Sequence, residues 1–346
     1  MKAVVWKGPE QVSVEEVPVP EIVEPYDALV RVTLSAICGS DLHVYHQMIP
    51  GIEEGVILGH EFVGIVEEVG SRTNVIRPGD RVVSSFFSCC ATCWYCKKGW
   101  YSQCENRMIF GMGEFYGDLP GAQAEKVRVP NADATLVKVP ENLSDEQAIF
   151  VGDIMATGMF AAERGEINVG DTVAVVGCGP VGIMATMCAS LFGPARIIAV
   201  DMVEERLELA KRLGAIPVDS NKQHPAQTVL ELTGGRGADV VLECVGNHKA
   251  VELAIDCVRP AGTISAVGVN DVIEYPFPIA AAWLKDLSFR TGICNVPKYM
   301  TQLLTLIKAG KLDPTIIISH RMQLEQAEEA YRMFANRQAT KIVLYP

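Results

Sequence analysis

Four cysteines, Cys90, Cys93, Cys96 and Cys104, stand close together in the pattern C-x2-C-x2-C-x7-C. That spacing lets one small loop wrap four thiolates tetrahedrally around a zinc ion. A closed four-sulfur shell leaves no position for a substrate, so the expected role is structural. The metal would fix a lobe around Lys97-Lys98-Gly99-Trp100 that has little apolar material of its own. Cys89 reads as a spare thiol that could substitute in the set. Four unrelated free thiols are the alternative, and their density argues against it.

A second pattern is Gly177-Cys178-Gly179-Pro180-Val181-Gly182, which spells G-x-G-x-x-G after a predicted strand and before a predicted helix. Glycines there let backbone and helix N-terminus approach a pyrophosphate. Asp201 closes the next predicted strand, where a carboxylate would accept hydrogen bonds from the adenosine ribose. Gly177, Gly179, Pro180, Val181, Gly182 and Asp201 are therefore the candidate residues for binding NAD. A carboxylate at 201 repels the extra phosphate of NADP, and no Arg or Lys follows until Arg206. The alternative is a glycine-rich turn, with Asp201 capping a helix that starts near Val203.

Metal-capable side chains also occur singly: Cys38 in Cys38-Gly39-Ser40-Asp41, His60 in Gly59-His60-Glu61, and Asp153 in Gly152-Asp153-Ile154. Three protein ligands plus a water or substrate make an open, catalytic zinc site. Spacing alone does not assemble this triple, and His60 beside Glu61 reads equally as a surface or capping pair.

The elements that must position these groups change in kind along the chain. Residues 2–139 show short β-branched runs at 28–34, 64–69, 81–84 and 124–129, punctuated by turns such as Arg77-Pro78-Gly79-Asp80. This pattern predicts a mostly β domain. From about residue 149, predicted strands at 172–177, 196–201, 238–244 and 263–268 alternate with helical segments that include 203–213 and 248–258. Alternation of this kind predicts an α/β domain with a doubly wound parallel sheet. Helices at 297–309 and 324–335 and a strand at 341–344 close the chain.

With 346 residues, 49% hydrophobic and 21% charged, the chain suits two globular domains. Its formal charge of −12 argues against holding nucleic acid or an anionic membrane by bulk electrostatics. The N-terminal residues read as a strand and turn, not as a signal peptide. Residues 172–195 carry no charge and are long enough to cross a bilayer, but Gly177, Gly179, Pro180 and Gly182 interrupt them where a buried strand would turn into a helix. Eleven cysteines, four of them crowded together, point to metal rather than disulfides.

Taken in order, Cys38-Gly39-Ser40-Asp41, Gly59-His60-Glu61-x-x-Gly64, Gly79-Asp80-Arg81-Val82, the cysteine lobe, Asp153-x-x-x-Thr157-Gly158 and the glycine fingerprint resemble the zinc-containing medium-chain alcohol dehydrogenase family over nearly the whole chain. The resemblance implies a GroES-like, mostly β catalytic domain over 1–150, completed by about 290–346, and a Rossmann NAD-binding domain over 151–289. It implies that Cys38, His60 and Asp153 hold a catalytic zinc, with Glu61 as an acid beside the metal. Asp41 falls on the carboxylate that orients the ligand histidine. Ser40 and His43 fall on a proton relay that runs through the cofactor ribose.

Two zinc ions per chain, NAD, a small alcohol or aldehyde substrate, a homodimer or homotetramer and a cytoplasmic location follow from the same resemblance. The implied reaction is hydride transfer between an alcohol, aldehyde or ketone and NAD, with polyol, threonine or formaldehyde dehydrogenation as variants. Asp153 stands where the best-known members carry cysteine. Some bacterial alcohol dehydrogenases and the glutathione-independent formaldehyde dehydrogenases share the aspartate, and Gly121-Ala122-Gln123-Ala124-Glu125 is similar to the latter group. A rival from outside enzymology is an NAD-binding redox sensor that uses the cysteine lobe as its switch. Trp94, Phe110, Met112 and Trp283 are candidate pocket residues, whereas Lys341 and Arg290, for which reach to cofactor phosphates is the alternative, read as solvated surface charges.

Overall fold

The computed structural model describes residues 1–270 and 274–346. Two units divide it: Met1–Asp153 with Asn295–Pro346, and Ile154–Cys294.

In the first unit the long strand Ala28–Ile37 is central to a seven-stranded sheet. It runs antiparallel to Glu61–Val69 on one side and to Ile342–Tyr345 on the other. Beyond these lie Arg81–Ser84 and Leu136–Lys138 at one edge and His320–Gln323 at the other, and Lys126–Val129 also pairs with the central strand. Alternating β-branched residues drive the assembly: Val30, Val32, Val66, Val82 and Val127 point into one core around Phe62 and Phe110, whose rings meet edge to face. Pairing of Ala36 with Glu61 and of Ile37 with Ile342 sets the register where the site is built. It brings Cys38, His60, Glu61 and Lys341 to the same end of three adjacent strands. The C-terminal segment is thus part of this sheet.

The second unit holds six parallel strands: Thr172–Val176, Arg196–Asp201, Ile216–Asp219, Ala238–Glu243, Val258–Ala266 and Ser288–Thr291. Numbered in sequence, their spatial order is 3-2-1-4-5-6, the doubly wound Rossmann order. Thr172–Val176 and Ala238–Glu243 are buried along their whole length, as strands covered on both faces must be. The uncharged stretch 172–195 resolves into one of these strands and the helix Pro180–Ser190. No helix among the described residues is long and apolar enough to cross a membrane.

Some sequence expectations need correction here. Val258–Ala266 begins immediately after the helix His248–Cys257, upstream of residue 263. Pro260-Ala261-Gly262 imitates a turn in sequence, but the strand absorbs it as an irregularity, with Ala261 at φ 55°. Ser288–Thr291, a half-polar edge strand, carries the sheet past residue 289, so a division there cuts a strand. A division after residue 150 likewise cuts the short 3-10 helix Ile149–Gly152.

Candidate functional site

Cys38 leaves the end of Ala28–Ile37, His60 immediately precedes Glu61–Val69, and Asp153 follows the 3-10 helix Ile149–Gly152. Though scattered in sequence, all three are buried, and one donor atom from each lies within 4.8 Å of the others. Asp153 Oδ2 is 3.3 Å from Cys38 Sγ and 3.2 Å from His60 Nε2. Zinc bonds of about 2.0 to 2.3 Å in a tetrahedron imply donor separations of about 3.3 to 3.8 Å, and those seen lie at or just below the short end.

The charges point the same way. Burial and the adjacent Asp153 carboxylate push the Cys38 thiol above its ordinary range. Burial works against a charged His60 imidazole, yet Asp41 and Asp153 outweigh it and hold its pKa well above the usual value. A thiol, an imidazole and a carboxylate crowded together inside the protein form a set that a divalent cation neutralises. The donor chemistry and spacing therefore fit zinc.

Around the triple, Asp41 Oδ1 lies 2.9 Å from His60 Nδ1, off the line of a good hydrogen bond but at ion-pair distance. This contact leaves Nε2 facing Cys38 and Asp153. Ser40 Oγ is 3.2 Å from His60 Nε2, so its hydroxyl reaches the donor group. His43 sits half-buried on the short helix Asp41–Tyr45 that Ser40 starts. Glu61 is fully buried, and its carboxylate is engaged by Lys341 Nζ. Lys341 is accordingly no surface charge, which its sequence neighbourhood gave no means of knowing. Arg290 pairs with Glu166 at 2.6 Å. Of the candidate pocket residues, Phe110 and Met112 are buried, while Trp94 and Trp283 are exposed.

The sulfur atoms of Cys90, Cys93, Cys96 and Cys104 form a second convergent group. Cys104 Sγ is 3.5 Å from Cys90 Sγ, and the loop aims amides at sulfur: Cys90 N donates to Cys104 Sγ and Cys93 N to Cys90 Sγ, both at 3.3 Å. Burial opposes ionisation of Cys90, but hydrogen bonds from Thr92 and Cys93 outweigh it and bring its thiol down to about 5. Four sulfur atoms within 4.8 Å of one another, with backbone amides aimed at them, fit zinc. Cys89 is fully buried and lies outside the group, so the structure gives it no share in the ligand set.

In the other unit each glycine of the fingerprint has its own reason. Gly177 adopts φ +88°, and a Cβ there would lie 2.4 Å from Val245 Cγ2. At Gly182 a Cβ would lie 1.8 Å from Gly177 O, so helix Pro180–Ser190 could not pack against the turn. A Cβ on Gly179 would meet only Arg206 Nη1, at 3.8 Å. That opening stands at the helix N-terminus, with Pro180 in the first turn and Val181 half-buried behind it. An open backbone, free helix amides and a guanidinium together fit a pyrophosphate.

Asp201 does not cap the following helix, Glu204–Arg212, whose N-cap is Val203. Its carboxylate accepts from Cys178 N at 2.6 Å, Met202 N at 2.7 Å and Val203 N at 2.9 Å, which ties the second strand to the glycine turn. Arg206 Nη1 approaches Asp201 Oδ2 to 4.0 Å. The sequence marked Arg206 only as the first cation after Asp201; one helical turn brings it back to the loop.

Residues 24–141 match the alcohol dehydrogenase GroES-like domain family, and residues 180–309 match the zinc-binding dehydrogenase family. Zinc-type alcohol dehydrogenase B of Aspergillus flavus is 41% identical, covering 99% of this chain and 81% of that protein. An alcohol dehydrogenase of Cupriavidus necator is 35% identical over 100% of this chain and 99% of its own. Among solved structures, alcohol dehydrogenase TADH from Thermus sp. ATN1 superposes with a TM-score of 0.96 at 46% identity, covering 100% of this chain and 99% of that one.

Proposed function

The chain belongs to the zinc-containing medium-chain alcohol dehydrogenase family and exchanges a hydride between an alcohol, aldehyde or ketone and NAD; we propose that Cys38, His60 and Asp153 are its catalytic zinc ligands and that the four-cysteine lobe holds a second, structural zinc. The observation that carries this reading is the convergence of three buried donors from three separate stretches of sequence.

Zinc in that position supplies Lewis acidity toward the substrate oxygen, lowering an alcohol pKa from about 16 toward neutrality as it does for water. NAD supplies the hydride chemistry. His60 would present Nε2 to the metal because Asp41 faces Nδ1, and Cys38 and Asp153 would hold it with their thiolate and carboxylate. Ser40, whose hydroxyl already lies at the donors, is placed to take the proton released from the substrate and pass it by way of the cofactor ribose to half-buried His43 and on toward solvent. Gly179 and the helix N-terminus behind it receive the cofactor pyrophosphate. Asp201 accepts from the adenosine ribose and repels a 2′-phosphate, which favours NAD over NADP.

The chain also reads as a homo-oligomer. Helix Ile279–Leu284 leaves Ile279 69%, Trp283 76% and Leu284 76% exposed just before the edge strand Ser288–Thr291, an apolar face suited to a second copy. A cytoplasmic location belongs to the same reading, because thiolate ligands need a reducing compartment.

Steady-state oxidation of primary, secondary and polyhydric alcohols, threonine and formaldehyde with NAD tests the proposal. Turnover that disappears on chelation and returns with zinc supports it. Turnover indifferent to zinc, or none with any of these substrates, contradicts it.

A further inference from the structure

Asp41, the carboxylate against His60, is itself held by a buried hydrogen-bond chain. Asp41 Oδ2 accepts from Cys38 N at 2.8 Å and from Gln123 Nε2 at 3.3 Å. Gln123 Nε2 also donates to Ala36 O at 3.1 Å, and Gln123 Oε1 accepts from Tyr331 OH at 2.8 Å. Gln123 and Tyr331 are both fully buried, and 208 residues separate them in the chain.

The neighbours dictate which way the carboxamide points. Ala36 O and the Asp41 carboxylate can only accept, so the NH2 group must face them and the carbonyl must face the Tyr331 hydroxyl. A carboxamide suits this position better than its relatives do. A glutamate would set a second carboxylate against Asp41, and an apolar side chain would take one donor from Ala36 O and leave Cys38 N alone to hold Asp41 Oδ2. Gln123 is also fixed in place: its N donates to Leu58 O at 2.9 Å, and its O accepts from Val4 N at 2.8 Å. Its stem lies over Gly59, the residue before His60, where a Cβ would stand 2.4 Å from Gln123 Cγ.

We propose that Gln123, oriented by Tyr331, is a positioning residue for the His60 ligand. By engaging Asp41 Oδ2 together with Cys38 N, it keeps Oδ1 turned to His60 Nδ1 and so keeps Nε2 aimed at the metal position. Helix Ala327–Ala335, which carries Tyr331, is thereby coupled to the metal centre. The inference rests on the reading of Cys38, His60 and Asp153 as metal ligands.

Cobalt(II) as the metal probe tests it on the full chain. The catalytic-site signal is the visible absorption lost in Cys38→Ser, and its Co2+ dissociation constant is measured for wild type, Gln123→Met, Tyr331→Phe, Asp41→Asn and Asp41→Asn with Gln123→Met. Removing an outer-shell partner weakens metal binding about 10- to 100-fold, so Gln123→Met should raise the constant about tenfold and shift the band. Tyr331→Phe keeps the packing, should act in the same direction, and serves as the test if Gln123→Met does not fold. In the Asp41→Asn background Gln123→Met should add nothing, because it acts through Asp41. Unchanged constants and bands in the two single variants, or the same further loss without Asp41, overturn the proposal. A wild-type chain with no Cys38-dependent band would instead refute the metal reading, and this inference with it.

Discussion

Lys341 Nζ meets the Glu61 carboxylate with neither side chain exposed to solvent, although 280 residues separate them in the chain. Strand pairing makes the contact: Ile342 opposes Ile37 and Glu61 opposes Ala36, on either side of the strand that ends at Ile37, just before Cys38. Burial works against the Lys341 charge, but Glu61, Cys38 and Asp153 outweigh it and hold the amine above its ordinary pKa. The Phe150 ring, 5.5 Å from Nζ, adds a cation–π contact.

Lys341→Met should therefore leave a buried carboxylate without its counter-ion and cost about 3 to 5 kcal/mol. Adding Glu61→Gln to it should recover most of that loss. Guanidinium unfolding of the zinc-loaded protein measures both, and a Lys341→Met midpoint equal to wild type would show that the pair contributes little.

Two alanine substitutions in the glycine turn should part company. Gly182→Ala drives a Cβ into Gly177 O and should lower the melting temperature, whereas Gly179→Ala enters open space at an ordinary φ of −64° and should fold like wild type. Gly179→Ala should instead raise the NADH dissociation constant at least about tenfold, since the new methyl stands where the pyrophosphate approaches. Melting curves and NADH fluorescence titration read the two effects; similar behaviour of the two variants would sink the division of roles.

Asp201→Ala should lower kcat/KM for NAD and narrow the preference over NADP by at least about tenfold. It also releases the Cys178, Met202 and Val203 amides, so a modest stability loss should accompany the kinetic change. A wild-type enzyme more efficient with NADP would contradict the role given to this carboxylate.

Cys93→Ser should remove one of two zinc ions and lower thermal stability, because a structural metal contributes directly to folding. The kcat of chains that still carry the catalytic zinc should stay near wild type. Full zinc content with unchanged melting would refute the structural site.

How much of this was legible in sequence depends on the range of the interactions. The cysteine lobe and the glycine turn are built from near neighbours, so their spacing announced them. Cys38, His60 and Asp153 meet only because long-range strand pairing brings them together, and no local pattern carries that register; resemblance singled them out. Lys341 looked like any surface lysine because its burial is set by Glu61 and Phe150, both far away in the chain. Gln123 appeared only as one letter in Gly121-Ala122-Gln123-Ala124-Glu125, since its partners Asp41 and Tyr331 come from opposite ends of the sequence. The strand expected at 263–268 starts instead at Val258, because parallel pairing with Ala238–Glu243 holds Pro260-Ala261-Gly262 within it.

Asp153 closes the donor triple, 3.3 Å from Cys38 and 3.2 Å from His60. Asp153→Asn keeps the size of the side chain while removing one negative charge from the donors. Zinc content, kcat and the NAD dissociation constant of the purified variant should be measured together. The variant should lose one of two zinc ions and show a kcat at least about a hundredfold lower, with NAD affinity within a few-fold of wild type. Full zinc content with near-wild-type kcat would contradict this role and remove Asp153 from the metal centre.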